Sequence, residues 1–439
     1  MLKIMFFMFF LIPYSCFYNM WFVYQFSLIL IILMMLTFNY NSFFSVISYF
    51  LGIDWVSYML IIMTLLITSL MVLSSNLIKN NSSNYFYLFL NLTLCISLIL
   101  IFCVMNMFLL YIFFEFSLIP MMLIIIGWGY QPERLISGLY LFFYTLFASL
   151  PLLLMIIYFY NNYYTLFFDM YFGYSSSFIL YLSMILAFLV KLPMFMLHFW
   201  LPKAHVQAPV SGSMILAGVL LKIGGYGIIR FMFIYEYMFL KYSYIFYSFS
   251  IFGSILVSMI CLIQGDVKCL IAYSSVAHMG MCLMSMLTMT KWGIISCYLM
   301  MIGHGLCSSS LFCLSNMCYE RLMSRSFFIN KGMMVFMPSM TLMWFLMCSF
   351  NMSCPPSINF ISEVLIMTSM ISYLHMSFYY LFFISFLSAC FSFYLFSFIQ
   401  HGQFFNMYCY INGYIREYLI IFIHLFPMFM IMMVFEYFL

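Results

Sequence analysis

Charge is what this chain most lacks: of its 439 residues only 5% are charged while 68% are hydrophobic, against about 25% charged in an ordinary soluble domain. A water-facing surface cannot be assembled from such material. The 14 Lys and Arg and the 10 Asp and Glu are scattered between apolar runs, with no basic cluster and no basic amphipathic helix, so nucleic-acid binding is unsupported. No CxxC pair occurs among the 14 cysteines, and the clustered thiolates that hold zinc or iron-sulfur centres are therefore missing. The closest pair worth weighing, Cys313 and Cys318, ends an apolar run, where free cysteine serves as a small buried hydrophobe. Neither a metal, a disulfide nor a cofactor is expected in this chain. Catalytic triads and dinucleotide fingerprints are also lacking. Gly224, Gly225 and Gly227 sit inside an apolar run without a preceding strand, so they read as close helix packing rather than a phosphate loop. The first apolar run passes through Pro13 and Tyr14 into another run, unlike a cleaved secretory leader, and is expected to stay as the first helix.

What the chain has in abundance is apolar length. Runs of roughly 17 to 25 residues recur from end to end, each long enough to cross about 30 Å of hydrocarbon as a helix. Stretches such as SLILIILMMLTF (residues 27–38) do not alternate in polarity, which argues against a membrane β-barrel. The expected fold is all-α, a polytopic membrane protein of about fourteen transmembrane helices forming one membrane domain over residues 1–439. The expected spans are 2–17, 21–38, 55–73, 85–104, 107–128, 136–158, 178–200, 212–230, 244–264, 270–286, 292–317, 332–373, 376–399 and 418–435.

Proline interrupts the seventh and twelfth spans, at Pro193 and at Cys354-Pro355-Pro356, because it removes a backbone donor and clashes with the preceding turn. Broken helices five spans apart predict two inverted five-helix repeats of the transporter kind, at 85–230 and 244–399. N-terminal helices within 1–75 would precede them and a C-terminal helix within 400–439 would follow. Loops after odd-numbered spans hold Lys79, Arg134, Lys203, Lys268, Arg321, Arg325, Lys331 and Arg416, against Lys3, Arg230, Lys241 and Lys291 on the other side. The positive-inside rule then puts the odd loops on the side of synthesis and both termini on the far side.

Only Glu115, Lys191, Lys222 and Glu363 place a charge well inside a span, where each costs about 2.5 to 3.5 kcal/mol if unpaired at the bilayer centre. Such residues persist when they pair or line a wet path. His278 and His304, near the middles of the tenth and eleventh spans, join them as a set that would form a chain parallel to the membrane plane. Carboxylate, amine and imidazole are the side chains that hold or release a proton when burial and neighbours tune them. In this reading, moving or neutralising Glu115 changes proton retention on Lys191. Bland alternatives stand beside it: an inert Glu115–Lys191 ion pair, a snorkelling Lys222, satisfied core histidines, and a Glu363 that caps the half-helix after Pro356. Tyr111, Ser274 and Ser308 lie one turn from Glu115, His278 and His304, placed for bridging through water or for silent packing.

The strings LVKLPMFMLHFWLPKAHVQAPVSGSMILAGVLLKIGGYGIIR (189–230), FFEFSLIPMMLIIIGWGYQPERL (113–135), DVKCLIAYSSVAHMG (266–280), HGLCSSSLFCLSNMCYER (304–321) and PPSINFISE (355–363) together resemble the Mrp-antiporter-like subunits of mitochondrial NADH:ubiquinone oxidoreductase, respiratory complex I. The resemblance covers most of the chain. The 46 methionines, with abundant Phe, Ile, Tyr and Asn, resemble products of an AT-rich animal mitochondrial genome.

The resemblance implies that Glu115 is the fifth-helix glutamate, Lys191 the seventh-helix lysine and Lys222 the central eighth-helix lysine. It makes His278 and His304 relay histidines and Glu363 the twelfth-helix terminal group, where the sister antiporter-like chains 2 and 5 typically carry lysine. It further implies a multi-pass protein of the mitochondrial inner membrane, with termini in the intermembrane space. Its partners would be other membrane-arm subunits, chains 2 and 5 above all, and lipids. FMN, iron-sulfur clusters and quinone would sit in other subunits, and quinone reduction there would drive protons from matrix to intermembrane space here. A stand-alone cation/proton antiporter and a purely structural subunit remain alternative functions.

Overall fold

In hydrocarbon every backbone amide needs a partner within its own segment, and the apolar runs meet that need as helices. The computed structural model describes residues 1–15, 17, 20–38, 44–169, 177–403 and 412–433; the far end of the last expected span, beyond Met433, lies outside them. In chain order the helices are α1 (Leu2–Ser15), α2 (Trp21–Met35), α3 (Trp55–Ser74), α4 (Asn76–Lys79), α5 (Asn84–Cys103), α6 (Met107–Phe116), α7 (Leu118–Trp128), α8 (Arg134–Tyr163), α9 (Phe178–Lys191) and α10 (Trp200–Gln207). Then come α11 (Val210–Ile215), a π-helical segment (Leu216–Leu220), α12 (Leu221–Ile234), α13 (Glu236–Ile263), α14 (Val267–Leu287), α15 (Lys291–Leu322), α16 (Met333–Phe336), α17 (Pro338–Asn351), α18 (Ile358–Tyr373), α19 (Ser377–Gln400) and α20 (Ile415–Met433). Taking α6 with α7, and α11 with α12, as continuous, 10 helices among the described residues are long and apolar enough to cross a membrane. The shorter apolar helices are α1, α2, α9 and α18.

The chain forms two compact units: Met1–Lys191 with Gln207–Tyr242, and Leu192–Val206 with Ser243–Leu439. In the first unit α5 packs on α1, α3, α6 and α7, α3 on α2, α11 and the π segment, and α9 on α8 and α12. Gly227 of α12 permits the last contact, since a Cβ there would run into the Phe188 ring of α9. In the second unit the long α15 bears on α14, α17, α18 and α20.

One element departs from the all-helical expectation. Ser45–Ser48 and Leu51–Ile53 pair as a short antiparallel ribbon before α3, β1 with β2, with β-branched Val46, Ile47 and Ile53 among their residues. Asp54, the N-cap of α3, accepts from the Phe44 amide and forms an ion pair with Arg230 of α12, which fastens the ribbon to the unit.

Two helix interruptions contain prolines, whereas Pro13, Pro151 and Pro427 lie within α1, α8 and α20. α9 stops at Lys191, before Pro193, and helix resumes only at Trp200. α17 and α18 are separated by 352–357, which contains Pro355 and Pro356. The freed backbone there finds partners inside the protein, as buried polar groups in lipid must: Asn359 Nδ2 donates to the Phe350 carbonyl at 2.9 Å, and the Cys354 amide to the Ser349 carbonyl at 3.0 Å. Ser357, not Glu363, caps α18, its Oγ accepting from the Phe360 amide. A further break at Ser117, between α6 and α7, precedes Pro120, whose missing N–H leaves the preceding turn without a bond.

Candidate functional site

Each unit holds three of the six residues singled out by sequence. Glu115 lies in the last turn of α6, just before the Ser117 break, and is half-buried. Its flank carries Ile112, Phe116 and Ile119, all exposed, while Ser149 of α8 and Tyr111 face its carboxylate. Lys191 ends α9 and is buried. Its ammonium sits 3.2 Å from the centroid of the Phe114 ring and donates to the Phe114 carbonyl at 3.3 Å. Glu115 and Lys191 are electrostatic neighbours, but the direct pair weighed from sequence is replaced by this contact, in which the ring face and a carbonyl share the cation.

Lys222 is fully buried, in the first turn of α12. The π segment before it explains where its ammonium goes. A π turn leaves a carbonyl without its usual α-helical partner, and Lys222 Nζ donates to the Ala217 carbonyl at 2.5 Å. The amine is held by backbone rather than drawn toward an interface.

In the second unit His278 of α14, His304 of α15 and Glu363 of α18 converge. His278 Nδ1 stands 3.8 Å from Glu363 Oε1, and the two imidazole centroids are 5.6 Å apart. Exposures of 2%, 1% and 7% keep all three out of contact with lipid. Phe391 of α19 closes one side, 5.9 Å from the His278 ring. Ser308, one turn after His304, is buried with its hydroxyl unpartnered, whereas Ser274 turns to the Ile271 carbonyl. Gly303 makes room for α18: a Cβ there would strike the Asn359 amide oxygen.

Some buried charges escaped the sequence reading. Lys268, a loop residue by the expected spans, lies in the first turn of α14 and is buried near Arg325. Arg230, at the end of its expected span, is buried in the Asp54 ion pair. Arg321 and Glu417 form a buried pair at 2.6 Å, and His205 stacks on Phe312 with centroids 4.9 Å apart and planes 3° from parallel. Each lies within a few residues of a helix end, which is where span boundaries are read least accurately.

A many-helix membrane fold that buries acid, amine and imidazole groups along its spans is that of a membrane protein with an ion or proton pathway. Residues 104–392 match the family described as NADH:quinone oxidoreductase/Mrp antiporter, TM, and residues 1–103 match NADH-ubiquinone oxidoreductase chain 4, amino terminus. The chain is 49% identical over 434 residues to NADH-ubiquinone oxidoreductase chain 4 of Ceratitis capitata, covering 98% of this chain and 97% of that one. To the Locusta migratoria protein of the same name it is 46% identical over 442 residues, covering 100% of each. In fold it resembles a chain of respiratory complex I from Thermus thermophilus with bound NADH, at a TM-score of 0.85 and 20% identity, over 94% of this chain and 90% of that one. The chain belongs to the NADH-ubiquinone oxidoreductase chain 4 family.

Proposed function

We propose that this chain is a multi-pass membrane subunit of NADH:ubiquinone oxidoreductase in the mitochondrial inner membrane. In it, buried Glu, Lys and His side chains move protons from matrix to intermembrane space, driven by quinone reduction elsewhere in the complex. Family membership supports the coarse reading, a membrane subunit of a proton-translocating respiratory enzyme. The observation that carries the finer one is the meeting of His278, His304 and Glu363 inside the second unit. Burying three titratable groups together in apolar surroundings costs stability, and a cost of that kind is kept where the groups do work. In the first unit Glu115 biases the charge state of Lys191, and Lys222 carries the proton. Chains 2 and 5 are the proposed neighbours, both termini lie on the intermembrane-space side, and the redox groups belong to other subunits.

The test is Lys222→Met, which keeps stem length and removes the amine. Assembly and NADH oxidation with an artificial acceptor should persist, because that chemistry lies in other subunits, while quinone reduction and the proton gradient fall together. Undiminished pumping by the assembled variant would remove Lys222 from the mechanism and favour a structural role.

A further inference from the structure

The proton-carrying residues leave one buried polar cluster of the first unit unexplained. Tyr87, Asn91 and Cys95 follow at intervals of four on α5, so they line a single helix face, and each is fully buried. Tyr24 of α2 lies within electrostatic reach of both Cys95 and Tyr87. Trp21 stacks on Tyr87 with centroids 5.8 Å apart, and the Tyr87 hydroxyl faces Ser75 and Ser211. Yet the Trp21 indole nitrogen, the Tyr24 hydroxyl and both polar atoms of the Asn91 amide are buried without a hydrogen-bond partner. Where protein offers no partner to such atoms, ordered water does.

The cluster has a direction. It begins where α2, α5 and α11 start and α3 ends, and the Ser74 hydroxyl of α3 reaches the Met214 sulfur of α11 at 3.4 Å there. From Tyr87 to Cys95 it runs about 12 Å into the unit along α5. Cys95 then meets the Thr68 hydroxyl of α3 at 3.5 Å, Thr64 follows one turn on, and α3 packs on the π segment whose Ala217 carbonyl holds Lys222.

We propose that this cluster is a water-binding inlet, in which waters held by Trp21, Tyr24, Tyr87, Asn91 and Ser211 lead protons from that end of the first unit toward Lys222. It rests on the proton-carrying role given to Lys222 above and adds an entrance built partly from α2, outside the expected repeats. Each water or hydroxyl in the line accepts one proton as it passes another on, so no member keeps a charge.

The test uses the assembled enzyme complex. Asn91→Leu keeps the number and branching of side-chain heavy atoms and removes the amide; in a dry pocket the loss of an unpaired polar group makes that change tolerable. With a wet inlet, NADH oxidation by an artificial acceptor stays at the parent level, while quinone-linked pumping falls about fivefold, the scale of one lost hydrogen-bonding anchor. A water-resolving cryo-EM map should show water bonded to the Asn91 amide of the parent. Parent-level pumping by Asn91→Leu, or a parent map without water at Asn91, overturns the inlet. Tyr24→Phe, which deletes one oxygen, gives the same reading where Asn91→Leu fails to assemble. Loss of pumping in Lys222→Met with full pumping in Asn91→Leu would sink the inlet alone, whereas full pumping in Lys222→Met would sink the role of Lys222.

Discussion

His278 and Glu363 face each other across the contact of α14 and α18, Nδ1 to Oε1 at 3.8 Å. That is too long for a hydrogen bond, and it is short enough for one to close when a rotamer turns or a water steps between. Such a gap suits a proton that must be passed on rather than kept.

Glu363→Gln preserves the shape of that contact and removes the carboxylate. The assembled complex is expected to lose quinone-linked pumping by about tenfold or more, with artificial-acceptor NADH oxidation unchanged. Glu363→Asp should fall between. Parent-level pumping in Glu363→Gln would reduce Glu363 to a packing residue.

Glu115→Gln withdraws the charge that Lys191 senses without a direct contact. Pumping should drop steeply, and Glu115→Asp should be milder because it keeps the charge and shortens the reach. The comparison is the rate of quinone-linked acidification in membranes matched for complex content; equal rates in the two variants would sever Glu115 from Lys191.

Gly227→Ala should destabilise the first unit by about 1 to 3 kcal/mol, the usual cost of overpacking a filled core, because its Cβ meets the Phe188 ring. A lower midpoint of thermal inactivation is the readout. Adding Phe188→Leu should recover part of the loss, and no recovery would mean that the clash is taken up elsewhere.

Arg230→Met strands Asp54 in a buried site, at a cost of about 3 to 5 kcal/mol. The assembled fraction should fall sharply. Replacing both partners, with Asp54→Leu beside Arg230→Met, should restore much of it, since an apolar pair leaves no charge to solvate. A double variant as poor as the single would show that the pair does more than hold the ribbon to α12.

Span positions were legible in the sequence because hydrocarbon length demands a fixed apolar run; proline alone does not mark a break, since Pro151 and Pro427 sit inside α8 and α20. Lys222 stood out because a charge amid LLKIGGYG has no solvent to reach. Which face of a span meets protein was not legible. Lipid is as apolar as a core, so nothing in IFFEF distinguishes the half-exposed Glu115 from the buried Phe114. The ribbon at 45–53 hid between two spans, and the burial of Lys268 and Arg230 was hidden by helix ends that extend a few residues beyond the apolar runs.

The π segment at Leu216–Leu220 makes the acceptor of Lys222 a matter of counting. Five residues of π-helix sweep about the same angle as four of α-helix, so deleting a single residue from 216–220, with the turn tightening to α, would leave Lys222 and every side chain downstream on the same face while drawing the freed carbonyl back into the backbone ladder. The extra residue thus serves to leave the amine an acceptor, and a length change of one there would take that acceptor away with the lysine still in place.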